Sequence, residues 1–242
     1  MHEEIEKIKG SLDSSGIMGS EIRVNCTLGN INFQLFNKDI MGNIIQEWFY
    51  KYIDELSIVW KPPINTQSYP DIILSNDHFL EVKCFNRGPG GSVAFDLANF
   101  KAFIDDMIIN PKRLNSDYII FGYSFSDEPK KILLEKYWIK KIWEITSIPS
   151  VEGSQTYGLI TSQVKKGNIV NLRPFKFENN EGKSLKNKVN FINQVKKTIS
   201  HFKTQLIKND TPYTSPEDWH KKVLVKFREQ TGENLFYSDN CC

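Results

Sequence analysis

The segment Tyr69–Phe85, YPDIILSNDHFLEVKCF, constrains the fold of this chain more than any other. Two short apolar runs, DIIL and HFLEVKCF, flank the turn-forming trio Ser75-Asn76-Asp77. That spacing predicts a β-hairpin. Successive side chains of a strand alternate between faces, so Leu80, Val82 and Cys84 share a core-facing side while Glu81 and Lys83 share the other. A carboxylate and an ammonium on an apolar strand are costly to bury without a partner or a task. Asp71 follows Pro70 and opens the first run, where a hairpin can set it beside Glu81. Two carboxylates held close repel, which raises one pKa or recruits a cation. A hard divalent ion relieves that repulsion, and Mg²⁺ typically takes one or two carboxylates with phosphate and water. Such an ion polarises a phosphodiester and acidifies bound water. Lys83 can then orient or help deprotonate the water, or stabilise charge on the phosphorane. Glu47 stands at the edge of an upstream helical stripe and can approach the same point.

Around this segment the chain alternates between the two periods of secondary structure. Residues 3–9 read as a short charged helix ended by Gly10, with a loop after it. EIRVNCTL and INFQLF alternate around Gly29-Asn30 and predict a hairpin. From Asp39 to Leu56, Ile40, Ile44, Trp48 and Tyr52 recur at i+4, widened by Ile45, Phe49 and Ile53, and predict an amphipathic helix. A helix is expected over Asp96–Ile109 and a buried strand over DYIIFGYSF. KILLEKYWIKKIWEI fits either period. A second hairpin turns at Lys165-Lys166-Gly167-Asn168. A long helix capped by Ser184 follows, and a last one starts at Ser215-Pro216-Glu217-Asp218 and ends at Gly232. The expected fold is α/β, a central mixed sheet of about five strands flanked by helices. One main domain over 1–208 and a helical appendage over 209–242, packed on the same domain, are the expected divisions.

The pattern of Pro70-Asp71, nine intervening residues, then Glu81-Val82-Lys83 resembles the PD-(D/E)xK nuclease superfamily. The resemblance implies a restriction-endonuclease-like fold in which Asp71 and Glu81 bind Mg²⁺ and Lys83 serves the attacking water. An acid on an upstream helix often completes such a site, and Glu47 is the matching candidate. Val82, between the two motif residues, is the remaining candidate metal ligand. The motif proper spans 14 residues, and the order of elements extends the likeness loosely over 39–125. Glu128-Pro129-Lys130 and Glu181-Gly182-Lys183 also fit the tripeptide. The first carries a proline that a central strand excludes, and the second sits in a polar Gly/Asn-rich stretch.

Among the branches of the superfamily the chain looks most like a type II restriction endonuclease. GGSVAFDLANFKAF and NIVNLRPF are similar to the NgoBV-like branch, which cuts GGNNCC-type sites. This implies hydrolysis of double-stranded DNA at a short palindromic site. Cutting both strands with one centre per chain then calls for a homodimer. A junction resolvase or repair nickase of the same superfamily, a non-catalytic DNA-binding module and a pure interaction protein are the alternatives.

Charge distribution bears on the partner. The 242 residues carry a net charge of only +2, yet residues 130–208 hold 16 Lys/Arg against 5 Asp/Glu. This suggests a polyanion, or else a solvated lysine-rich face. Arg87 precedes the glycine-rich stretch Gly88-Pro89-Gly90-Gly91 and reads as a DNA contact or as part of a plain strand-to-helix connection. Asn99 and Lys101 on the next predicted helix, Lys165 and Lys166 at the second turn, and Arg173 after it are the other candidate DNA-binding residues, with a solvated polar surface as the alternative. The four cysteines show no C-x-x-C spacing and the first ten residues no apolar leader core, so a cytoplasmic setting is expected. No run approaches the ~18 apolar residues of a membrane span, so no membrane partner is expected.

Overall fold

A computed structural model of the chain describes residues 2–37, 39–63, 69–88, 93–127, 130–150, 152–179 and 181–235. The glycine-rich stretch from residue 89, the Glu128-Pro129 decoy and the Cys241-Cys242 tail lie outside the described residues. In chain order the elements are α1 (Glu3–Ser14), β1 (Ser20–Glu21), β2 (Asn25–Leu28), β3 (Ile31–Gln34), α2 (Met41–Glu55), β4 (Trp60–Lys61), β5 (Ile72–Leu74), β6 (Phe79–Asn86), β7 (Ala98–Asn99), α3 (Phe100–Ile109), β8 (Asp117–Asp127), β9 (Lys130–Lys140), β10 (Ser162–Lys165), β11 (Asn168–Leu172), α4 (Lys188–His201), α5 (Lys203–Leu206) and α6 (Pro216–Thr231). Among the described residues no helix is long and apolar enough to cross a membrane.

The chain forms two compact units. The first comprises Met1–Ala94 with Ser116–Lys140, and the second Phe95–Asn115 with Lys141–Cys242. A six-stranded sheet in the order β1-β9-β8-β6-β5-β4 fills the first unit. Only β6 and β8 run parallel; the other pairs are antiparallel, so the sheet is mixed and one strand larger than expected. A parallel neighbour requires a long crossover, and here residues 87–116 supply it.

Helices α1 and α2 share one core with the sheet. Ile5, Ile8 and Leu12 of α1 and Met41, Ile45, Phe49 and Ile53 of α2 pack with Leu80, Val82, Ile119 and Phe121. Gly10 does not end α1 as expected. Burial of Leu12 beyond it outweighs the ~1 kcal/mol cost of a mid-helix glycine. The β2–β3 hairpin forms in the expected register around Gly29-Asn30.

β9 resolves the ambiguous stretch. Ile132 and Leu134 pack in the core cluster, but Tyr137 and Ile139 join the same cluster from the opposite parity. Between them β8 pairs Tyr123 with Leu134 and Gly122 with Lys136, leaving Glu135 as an extra residue. This β-bulge breaks the period-2 pattern, which is why the sequence alone fits either period.

In the second unit β11 pairs with β10 and with β7. Because Ala98 and Asn99 are spent on that pairing, α3 starts at Phe100, later than expected. Asn187, not Ser184, caps α4, since Lys186 takes a left-handed φ of 72° that no helix continues through. Ser184 instead bridges to Ser147. α6 keeps its expected boundaries: Ser215 accepts from the Asp218 N–H and Gly232 closes it at φ 73°. Its Trp219 is fully buried, with Nε1 donating to the Ile104 carbonyl of α3 at 2.8 Å.

Candidate active site

The β5–β6 hairpin turns through Asn76 and Asp77, both at φ 53°. These residue types tolerate the left-handed region best after glycine. Ile72 pairs with Leu80 and Ile73 with Phe79, and the same register continued sets Asp71 opposite Glu81. Hydrogen bonds lock this arrangement. The Asp71 N–H donates to Glu81 Oε2 at 3.3 Å, and the Val82 N–H donates to Asp71 Oδ2 at 2.8 Å. Lys83 Nζ donates to Glu81 Oε1 at 2.7 Å. Glu81 is only 6% exposed and Lys83 half-buried. The structure thus brings together Asp71, Glu81 and Lys83, with the Val82 main chain in the midst.

Electrostatics follow from that crowding. Burial, and then the neighbouring Glu81 carboxylate, push Asp71 up to about 6, against the pull of Lys83, the Val82 N–H and Gln46. For Lys83, burial works against the charged form, but Glu81 and Asp71 together hold its pKa above the ordinary lysine value.

Helix α2 reaches this cluster through an unexpected residue. Gln46 Nε2 donates to Asp71 Oδ1 at 3.0 Å and also to the Tyr50 hydroxyl, which donates in turn to the Asp71 carbonyl at 3.4 Å. Glu47 is exposed. The buried stripe centres on Ile45 and Phe49 rather than Ile44 and Trp48, and at ~100° per residue Glu47 lies about 200° round from Ile45. Among the described residues no three His, Cys, Asp or Glu side chains converge to hold a metal.

The candidate DNA contacts are mostly engaged within the protein. Arg87 lies across Gly122, where a Cβ would come within 2.4 Å of its Cδ, and it pairs with the bulged Glu135 at 2.7 Å. Asn99 is the N-cap of α3, accepting from the Ala102 N–H at 3.0 Å. Lys101 pairs with Asp105 one turn along, and Arg173 Nε donates to Asp96 at 2.7 Å. Lys165 and Lys166 are exposed, Lys166 forming the β10–β11 turn with Gly167 at positive φ.

The family model for NgoBV restriction endonuclease matches residues 3–240. The chain belongs to the NgoBV restriction endonuclease family. It is 36% identical over 167 residues to the type II restriction enzyme NlaIV of Neisseria lactamica, covering 67% of this chain and 65% of that enzyme. The matched region is thus just under two thirds of that relative's length. It is 33% identical over 142 residues to the type II restriction enzyme NgoBV of Neisseria gonorrhoeae, covering 56% of this chain and 77% of the other. The solved structure of NlaIV restriction endonuclease is similar with a TM-score of 0.75 at 28% identity, over 96% of this chain and 90% of that one. The α/β fold with its mixed central sheet is therefore that of a type II restriction endonuclease family.

Proposed function

We propose that this member of the NgoBV family hydrolyses double-stranded DNA at a short palindromic site of GGNNCC type, with Mg²⁺ as cofactor and Asp71, Glu81 and Lys83 as its centre. The observation that carries the reading is the convergence of two carboxylates and one ammonium on a buried strand pair. The Lys83–Glu81 ion pair is complete without a second carboxylate, yet Asp71 is held beside it, where burial and Glu81 work against its charged form. A divalent cation is the partner that relieves it, and two carboxylates with a main-chain carbonyl suit the oxygen preference of Mg²⁺. Asp71, Glu81 and the Val82 carbonyl would hold it, and the exposed Glu47 stays outside this set. When bound, the ion polarises the scissile phosphate and acidifies a water.

The remaining work falls to the chain. Asp71 and Glu81 are aimed by main-chain N–H groups of the same hairpin, so their positions are fixed before DNA arrives. Lys83 spends one of its three N–H donors on Glu81, leaving two for the attacking water and a phosphate oxygen. The exposed Lys165 and Lys166 serve as phosphate contacts. Arg87, Lys101 and Arg173 reach DNA only by exchanging their carboxylate partners for phosphate or base, and Asn99 only beyond its capping bond. A palindromic site and one centre per chain imply a two-fold homodimer, and the setting we propose for it is the cytoplasm. Incubation with plasmid DNA and Mg²⁺ tests this: discrete fragments whose ends map to one short palindrome are expected. Nicks at scattered positions, or intact DNA, would overturn it.

A further inference from the structure

All four carboxylate oxygens of the centre already accept one hydrogen bond. Asp71 Oδ1 takes Gln46 Nε2, Asp71 Oδ2 the Val82 N–H, Glu81 Oε1 Lys83 Nζ, and Glu81 Oε2 the Asp71 N–H. A carboxylate has roughly four lone-pair positions, so each of these keeps about two. The formal charge of two carboxylates and one ammonium is −1. On the helix beside Asp71 the touching side chain is a neutral amide, and it is braced. Tyr50 bonds to both Gln46 and the Asp71 carbonyl. The Tyr50 ring stacks on Trp60 with centroids 4.9 Å apart, and Trp60 Nε1 is tied to Asp54 at 2.7 Å. A small rotation of the helix cannot exchange this amide for the acid next to it, since Glu47 lies about 100° further round.

We infer that Gln46, braced by Tyr50, positions Asp71 and limits this centre to one divalent ion per chain. The inference rests on the metal-dependent reading above. One ion uses the remaining lone pairs of both carboxylates and turns the local charge from −1 to +1. A second ion has to displace the Gln46 amide or the Lys83 ammonium, with no third carboxylate to offset its charge.

Mn²⁺ titrated into the metal-free, full-length protein and followed by electron paramagnetic resonance counts the ions, and Asp71→Asn identifies those that belong to this centre. One Asp71-dependent Mn²⁺ per chain is expected, rising to two in Gln46→Glu. Tyr50→Phe keeps the amide but removes its brace, so the count stays at one and binding weakens by about tenfold. Two ions in the unaltered protein, the second lost in Glu47→Gln, overturns the one-ion limit while leaving the metal-dependent reading intact. A count of one in Gln46→Glu overturns the role given to Gln46, and unchanged affinity in Tyr50→Phe overturns the brace. Absence of any Asp71-dependent Mn²⁺ overturns the metal-dependent reading itself.

Discussion

The hairpins β5–β6 and β10–β11 are both antiparallel pairs closed by short turns at positive φ, and both carry charged residues at or near those turns. They treat those charges in opposite ways. β5–β6 lies inside a six-stranded sheet, and there Asp71, Glu81 and Lys83 are withdrawn from water and left to satisfy one another. β10 is the edge of a three-stranded sheet, and Lys165 and Lys166 at its turn remain exposed. Sheet position therefore decides whether a charge is withdrawn from water or left at the surface. Withdrawn charges couple, shift their pKa values and recruit an ion. Hydrated ones act singly, through long-range and salt-sensitive attraction.

Cleavage rates should separate the two hairpins most. Lys83→Ala or Glu81→Gln is expected to slow hydrolysis by about 10³-fold or more, the scale of a lost acid–base or electrostatic partner. Lys165→Ala with Lys166→Ala should leave the rate at saturating enzyme nearly unchanged. Single-turnover cleavage checks both, and equal losses would erase the distinction.

Stability without metal gives the next contrast. Lys83→Ala leaves Glu81 buried and unpaired and should cost roughly 3 kcal/mol. Asp71→Asn removes the repelling carboxylate, with Gln46 able to turn its amide over, and should instead stabilise by up to about 3 kcal/mol near neutral pH. The pH dependence follows. Folded Asp71 keeps its proton up to about pH 6, the unfolded chain only to near 4. Folding takes up a proton in that window, so metal-free stability falls as pH rises through it. Urea melts in EDTA across that window should show the fall in the unaltered protein and its loss in Asp71→Asn.

Ordinary surface and cap changes sit lower on the scale. Ser215→Ala deletes the cap of α6 and should cost about 1 kcal/mol by thermal melt, with cleavage retained. The double lysine variant should change stability by under about 0.5 kcal/mol. Its effect belongs in the salt dependence of DNA binding, whose slope should shrink by about one per lost phosphate contact.

The sequence was most legible where one local rule acted alone. Alternation over 79–85 and a turn built of Asn and Asp were enough to set Asp71 beside Glu81, and Ser215-Pro216 was enough to start α6. It was least legible where tertiary packing moved a phase. The core buries Ile45 and Phe49 fully and Ile44 and Trp48 only in part, a turn of α2 that presents Gln46 in place of Glu47. A chemically sensible search for an acid passes over an amide, although the Gln46-x-x-x-Tyr50 spacing on one helix edge was there to be read. The bulge at Glu135 hid β9 in the same way, by breaking a period that holds on either side of it. Neither reading of Arg87, as a DNA contact or as a plain strand-to-helix connection, included its ion pair, because the partner Glu135 lies 48 residues away.

Digestion of plasmid DNA with Mg²⁺, run side by side for the unaltered protein, Asp71→Asn and Lys83→Ala, bears most directly on the claim that the buried triad is the hydrolytic centre. The account predicts site-specific fragments from the unaltered protein and none from either variant, with both variants still binding DNA. Fragments of the same pattern from either variant would contradict it.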